Sequence, residues 1–317
     1  MNECLIGIKK ITEVKNEEEI KNAVFELLDQ MKSNEQIKIP PNANILIKPN
    51  ICLVKCHESG TTVDPFIVKS LVDWLILNFD IKSIIIAEAD ATQLNIDVGF
   101  MVLGWRKFFE EYDNVNLLNL TKDDYVDVKL ADGLYFENMK MSKTFMESDY
   151  LISVAKLKTH TMTKITGILK NQYGANPIKH KIQYHDDLDE VIYDLNKVRI
   201  PDLCLVDGVI AMEGAGPVSG IPNPVGLLIV GNDPVAVDHA SAKLMGFNPR
   251  KVSHLKLAHD KGLGSFDYDV FGEDINDVAT KFRFVSPWKE FVTKVYQNKF
   301  IHKIPLWKKV ALAIFRR

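Results

Sequence analysis

The chain has 317 residues, 46% hydrophobic and 26% charged, with 39 basic and 42 acidic side chains. Such proportions exclude a disordered chain, a collagen-like repeat and a small disulfide-stapled fold. The net charge of −3 argues against a dedicated nucleic-acid binder, yet it is unevenly divided: residues 281–317 hold ten Lys or Arg against one acid, Glu290, so residues 1–280 carry −12.

In chain order, Asn44 to Lys48 reads as a buried strand. Asp64-Pro65 opens a helix, with Asp as N-cap and Pro in the first turn. Phe66, Val68, Leu71, Val72, Leu75 and Ile76 give that helix an apolar face. Ile84 to Ala87 is the next strand. One helix is predicted over Gly99 to Tyr112, a strand over Val115 to Leu118, and a small polar β excursion over 121–140, where Tyr125 to Lys129 alternates. Tyr150 to Val154 is a further core strand, followed by a polar, Gly-containing stretch to Pro177. Leu188 to Val198 reads as helix, and Leu203 to Val206 and Val225 to Val230 as strands. Asp233-Pro234 repeats the N-cap device and starts a helix to Met245. Val252 to Lys261 is another helix, closed by Gly262. Strands alternating with helices predict an α/β domain over residues 1–280, with a mainly parallel sheet flanked by helices, and a C-terminal helical tail over 281–317.

Each core strand runs into unusual polar residues: Lys48 and Asn50, Glu88 and Asp90, Lys156 to His160, and Asp207. In open α/β sheets, ligands bind beyond the carboxyl ends of the strands. Parallel pairing would therefore gather these residues at one edge. The densest segment, 156–174, carries Lys156, Lys158, Lys164 and Lys170 with His160, four Thr and Asn171, and has no Asp or Glu. Donors without carboxylates to neutralise them suit an anionic ligand such as a carboxylate or phosphate. Lys156 and Lys158 would hold the anion, aided by Lys48, Asn50, Thr166 and Asn171. His160 would be the acid or base. Lys170 would be a pKa-lowered base or a cation stabilising developing negative charge. A basic solvated helix face would account for Lys158 and Lys164 but less well for the strand-end positions of Lys156 and His160.

The second segment, 207–224, contains Gly214, Gly216 and Gly220. It misses the dinucleotide fingerprint, because its third Gly is one residue late and Pro217, Pro222 and Pro224 block a helix start. A loop covering substrate is expected instead, with Gly214 and Gly216 beside the ligand. Asp207, Glu213 and Asp238 are candidate oxygen ligands for a divalent metal. Asp238 lies in an apolar stretch and needs a partner. A Lys from 156–170 would make it a salt bridge rather than a metal ligand. Cys52 and Cys56 are too widely spaced for the usual redox or zinc pair, and four Cys in all give no disulfide framework.

Seven motifs in order resemble the DUF362 family: Ile-Lys-Pro-Asn50, Lys-Leu-Lys-Thr-His160, Thr-Gly-Ile-Leu-Lys-Asn171, Val-Asp-Gly208, Met-Glu-Gly-Ala-Gly-Pro217, Asp-Pro-Val-Ala-Val-Asp238 and Leu-Met-Gly-Phe247. They span roughly residues 40–265, and the family has no settled general function. Many of its members carry a ferredoxin-like domain with Cys-rich cluster motifs. This sequence has no such motif, so no intrinsic Cys-ligated iron–sulfur cluster is expected, while a separate ferredoxin-like partner is compatible with the resemblance. The spacing of His160 and Lys170 around Thr166-Gly167 is also similar to the lactate racemase-like family. That resemblance implies hydride or proton movement at a hydroxy-acid carbon with a nickel pincer cofactor, although Thr-Gly stands where that family has Ser-Gly-Gly.

No apolar run reaches the roughly 20 residues of a membrane span, and the charged N-terminus lacks a secretory h-region. A cytoplasmic protein is expected. In the tail, Trp288, Phe291, Val292, Val295 and Tyr296 interleave with Lys, and the segment from Ile304 to Arg317 is apolar with basic flanks. Residues 288–317 suit peripheral contact with an anionic membrane surface or a protein partner, or packing on the acidic body. The resulting expectation is an enzyme acting on a small anionic metabolite. A non-catalytic accessory protein docking through its tail is the alternative.

Overall fold

The computed structural model describes residues 4–285. The tail segment 288–317 and its proposed contacts lie outside the described residues. Chain order begins β1 (Leu5–Lys10), α1 (Glu17–Ser33), β2 (Ala43–Pro49), α2 (Pro65–Asn78), β3 (Ile81–Glu88), α3 (Ile96–Val102), α4 (Trp105–Phe109) and β4 (Val115–Asn119). It continues with β5 (Tyr125–Lys129), β6 (Asn138–Ser142), α5 (Lys143–Glu147), β7 (Tyr150–His160), β8 (Lys164–Ile165), α6 (Gly167–Gln172) and α7 (Leu188–Val198). Last come β9 (Leu203–Glu213), β10 (Ile221–Asn223), β11 (Leu227–Gly231), α8 (Pro234–Leu244), α9 (Ser253–Asp260), β12 (Asp269–Gly272) and α10 (Ile275–Val278).

The main sheet has the order β12-β1-β11-β9-β7-β2-β3-β4, with β10 pairing back onto β9 and β8 onto β7. Along that path β11 alone runs against its neighbours. β5 and β6 form a separate antiparallel pair, which is the predicted excursion. The fold is therefore α/β with a mainly parallel sheet, as the alternating pattern implied.

Both faces of the sheet are covered, so its strands read as continuous apolar runs rather than alternating ones. Ile45, Ile47, Ile84, Ile86, Ile152 and Val154 pack into the layer of α1–α4. Leu46, Ala87, Leu151, Ala155 and Val206 pack into the opposite layer, with residues of α6–α9. The two Asp-Pro devices work as read. Asp64 accepts from the Phe66 N–H at 2.9 Å, and Asp233 from the Val235 and Ala236 N–H at 2.7 and 2.9 Å. The single helix expected over Gly99–Tyr112 is instead two. Gly104 adopts φ +75° between α3 and α4, a left-handed conformation open to glycine that ends one helix and turns the chain into the next.

Candidate functional site

Strands β9, β7, β2 and β3 are adjacent and parallel, so the polar residues at their carboxyl ends share one edge. β7 and β9 are each eleven residues long. Lys156, Lys158 and His160 therefore sit within β7, and Asp207 and Glu213 within β9, rather than in loops beyond them. β8 hydrogen-bonds back to the end of β7, and α6 follows at once, carrying Lys170 and Asn171 over the edge.

A cavity of about 300 Å³ opens here, lined by Asn50, Cys52, Lys158, His160, Thr166, Lys170 and Asn171 among others. Tyr173, Lys181, His185, Pro217 and Val218 line it as well. Glu88 is the acid in its wall, and it is already engaged by Lys48 at 2.8 Å and by the Ile51 and Ala89 N–H.

Each candidate lysine has its own situation. Lys48 is fully buried below the cavity and gives its ammonium to Glu88, to the Asn171 Oδ1 at 3.1 Å and to the Pro49 carbonyl at 3.2 Å. It does not line the cavity, so it acts as a support. Lys156 likewise stands outside the lining and forms a buried pair with Asp207 at 2.7 Å. Lys158 does reach the cavity, donating to the Thr61 carbonyl at 2.6 Å and lying 3.3 Å from Cys52 Sγ. Burial lowers its pKa.

Lys170 differs from all of these. Among the described residues its ammonium has no hydrogen-bond or ion-pair partner, and it stands 3.8 Å from the Tyr173 ring centroid. Burial, with the Lys158, Lys181 and Lys48 ammoniums nearby, lowers its pKa to about 7.

His160 accepts at Nδ1 from the Met162 and Thr163 N–H at 3.2 and 3.3 Å. The ring is thus a neutral imidazole with its proton on Nε2. Burial and the Lys170 and Lys158 charges hold its pKa well below the usual histidine value. His160 is therefore a hydrogen-bond donor at neutral pH and has no free lone pair for a base.

Asn171 ties the edge together. Its Nδ2 donates to the Lys48 carbonyl and the Ser153 hydroxyl, and its Oδ1 accepts from Lys48 and Asn50. The Asn50 Oδ1 and the Thr166 Oγ1 are buried with no hydrogen-bond partner among the described residues. Such orphaned polar atoms at a cavity are the positions a ligand would satisfy.

The Gly loop is a hairpin turn between β9 and β10, and it offers Pro217 and Val218 to the cavity rather than Gly214 or Gly216. Gly216 serves close packing. Its carbonyl accepts from the Thr161 N–H at 3.0 Å, and a Cβ there would lie 1.9 Å from the Thr159 carbonyl oxygen.

The three carboxylates predicted as metal ligands do not converge. Asp207 pairs with Lys156 and accepts from the Asp64 and Val209 N–H. Glu213 binds Arg283 through its backbone N–H at 2.9 Å and its guanidinium. Asp238 accepts from the Ile168 and Leu169 N–H at 2.6 and 3.0 Å, which caps α6. Burial pushes the Asp238 carboxyl up to about 7 despite those two bonds. Its partner is thus a pair of backbone amides, not a lysine. Among the described residues no three His, Cys, Asp or Glu are grouped to hold a metal. Each acid is consumed by a structural bond, so the set does not fit a metal centre.

Sequence reasoning missed Cys52, Lys181 and His185 as cavity residues. Lys181 donates to the Asp90 carbonyl from a 3-10 turn in the chain between α6 and α7, and burial lowers its pKa to about 8. Burial and Lys170 lower His185 to about 4. The last two fall in a segment with no strand or motif to mark it, and only the tertiary fold brings it over the sheet edge.

A thylakoid-associated protein of Synechocystis is 31% identical over 140 residues, which covers 42% of this chain and 44% of that protein's length. The chain thus spans less than half of that relative. Among solved structures, the lactate racemase apoprotein of Thermoanaerobacterium thermosaccharolyticum gives a TM-score of 0.34 at 10% identity, over 66% of this chain and 51% of that one. A loganic acid methyltransferase with SAH gives 0.26 at 10% identity, over 89% and 69%. Neither likeness is close enough to carry a functional argument. A family model described as a domain of unknown function, DUF362, matches residues 45–243, and these include most of β2, all of β3, β7, β9 and α6, and every cavity lysine. The chain belongs to the DUF362 family.

Proposed function

We propose that the cavity is the active site of an enzyme acting on a small anionic metabolite, with Lys170 as the group that takes or gives the proton. The observation that carries this reading is the free Lys170 ammonium in a cavity whose acid, Glu88, is already engaged by Lys48. Lys158 and Lys181 each keep ammonium hydrogens for an anion beyond their present backbone carbonyls. An anion there relieves the repulsion among buried cations. Opposite charges about 4 Å apart gain roughly 4 kcal/mol at the effective dielectric of a protein site. The Nε2–H of His160 and the Thr166 hydroxyl supply neutral donors to a ligand oxygen. His160, expected as the acid or base, takes the donor role in this reading, and the titrating role passes to Lys170.

The test is binding of malonate and inorganic phosphate to the full chain, followed by melting temperature. Both should stabilise the protein near pH 7, and a neutral amide analogue should not. Lys170→Met should weaken malonate binding by roughly tenfold or more, the scale of a charge-assisted hydrogen bond. Equal binding of the neutral analogue would contradict the reading.

A second reading concerns location. Among the described residues no helix is long and apolar enough to cross a membrane. The Synechocystis relative is named for thylakoid association, and residues 281–317 carry ten Lys or Arg. These favour peripheral attachment to an anionic bilayer. Flotation with anionic liposomes should recover the full chain and lose it on removal of residues 288–317. Equal recovery of both would dismiss the tail as an anchor.

A further inference from the structure

We propose that Lys170 acts covalently, as the amine that condenses with a small anionic aldehyde or ketone in the cavity to form an imine. The proposal rests on the anion-site reading above and names its substrate class. Among the cavity's lysines, Lys170 is the amine left available. Lys158 is bound to the Thr61 carbonyl and Cys52, and Lys181 to the Asp90 carbonyl. Lys170 instead lies over the Tyr173 ring at 3.8 Å and faces the cavity.

The environment suits the reaction on both sides of the new bond. Lys158 and Lys181 can hold the carboxylate or phosphate of the carbonyl compound. Thr166 lies four residues before Lys170, lines the same cavity, and has a buried hydroxyl without a partner. That hydroxyl and the Nε2–H of His160 can donate to the carbonyl oxygen as it gains charge.

The step balances without an oxidant or reductant. The neutral Nζ lone pair forms a C–N bond to the carbonyl carbon as the C=O π pair moves to oxygen. The proton released by nitrogen passes to that oxygen, giving a carbinolamine. The nitrogen lone pair then forms C=N as water leaves, carrying one further proton taken from solvent. The products are a protonated imine and water.

The amine must be neutral to attack. The groups facing Lys170 are Lys48 and Cys52 at the end of β2, and Lys158 and His160 on β7. Lys181 and His185 face it from the chain after α6, and His254 from α9. The cations among them, together with burial, lower its pKa to about 7. About half of Lys170 is then neutral near pH 7, against roughly one in a few thousand for an ordinary lysine.

The experiment incubates the full chain near pH 7 with pyruvate, or with dihydroxyacetone phosphate, and sodium borohydride, then maps adducts by peptide mass spectrometry. Malonate binding is measured on the same preparation. A reduced adduct at Lys170, at least about tenfold above any other lysine and suppressed by malonate, is the expected result. The arm that reacts tells a carboxylate from a phosphate substrate. Malonate binding without an adduct at Lys170, or with adducts spread evenly over surface lysines, overturns the imine and leaves the anion site standing. Absence of both binding and adduct overturns the two together. Lys170→Arg, which has no nucleophilic amine, should lose the adduct. Retention of the adduct on another lysine in that variant would overturn the assignment.

Discussion

Lys156, Lys158 and His160 alternate along one strand, yet they have three different tasks. Lys156 is neutralised by Asp207, both side chains are almost wholly buried, and neither lines the cavity. Removing one member of such a pair leaves an uncompensated buried charge, a loss of about 3–5 kcal/mol. Lys156→Met should therefore lower the unfolding free energy measured by urea titration by about 3–5 kcal/mol, while any folded protein still binds malonate. Loss of binding at unchanged stability would return Lys156 to the ligand. His160 invites the opposite test. With Nδ1 accepting two backbone N–H groups, its ring should stay neutral, with the proton on Nε2, through the pH range in which an ordinary histidine titrates, as read by nitrogen NMR. A titration midpoint near 6.5 would contradict the donor role. The sequence placed both residues at the carboxyl edge but could not divide their tasks. That division depends on Asp207 across the sheet and on the β7–β8 turn.

At the scale of elements, the short helix α6 decides where Lys170 points. Its first N–H groups are held by Asp238 from α8, and Gly167 has φ +60° with the space for a Cβ only 2.3 Å from the Asp238 Oδ1. Gly167→Ala combines a left-handed conformation with that clash. It should cost at least about 1–3 kcal/mol and displace Lys170, with thermal melts and borohydride trapping falling together. Unchanged melting would show that the loop accommodates the methyl group elsewhere. Asp238→Ala leaves the Ile168 and Leu169 N–H groups without an acceptor, so a loss of about 2–4 kcal/mol is expected in denaturant titration. The strands and the two Asp-Pro helix starts were legible because apolar runs and N-caps are local signals. Asp238's need for a partner was legible as well, but its identity was not. Backbone amides leave no mark in a sequence, whereas the lysines of segment 156–170 invite the wrong pairing. The split between α3 and α4 was overlooked because an apolar periodicity continues through Gly104.

For the whole molecule, burial leaves several histidines less easily protonated than in the unfolded chain. His185 and His239 fall to about 4, His254 to about 3, and His160 is lowered as well. A base with a depressed folded pKa contributes stability that is complete above its unfolded value near 6.5 and is lost as the pH falls toward the folded value. Asp238, raised to about 7 by burial, and Asp189, also raised by burial, oppose this across the same window, but they are two groups against four. The melting temperature should therefore drop steadily between about pH 6.5 and pH 4. A flat profile would show that these rings reach solvent. Ligand linkage runs the other way for the lysines. Lys170 and Lys181, at about 7 and 8, are charged more fully when an anion sits beside them. Anion binding near pH 7 must then take up protons. The most direct measurement is a calorimetric titration of the full chain with malonate near pH 7, in two buffers of different ionisation enthalpy. Saturable binding is predicted, with uptake of about half a proton or more, most of it lost in Lys170→Met. Absence of binding, or binding without proton uptake and indifferent to Lys170→Met, would show that this cavity is not an anion site built around a half-neutral lysine.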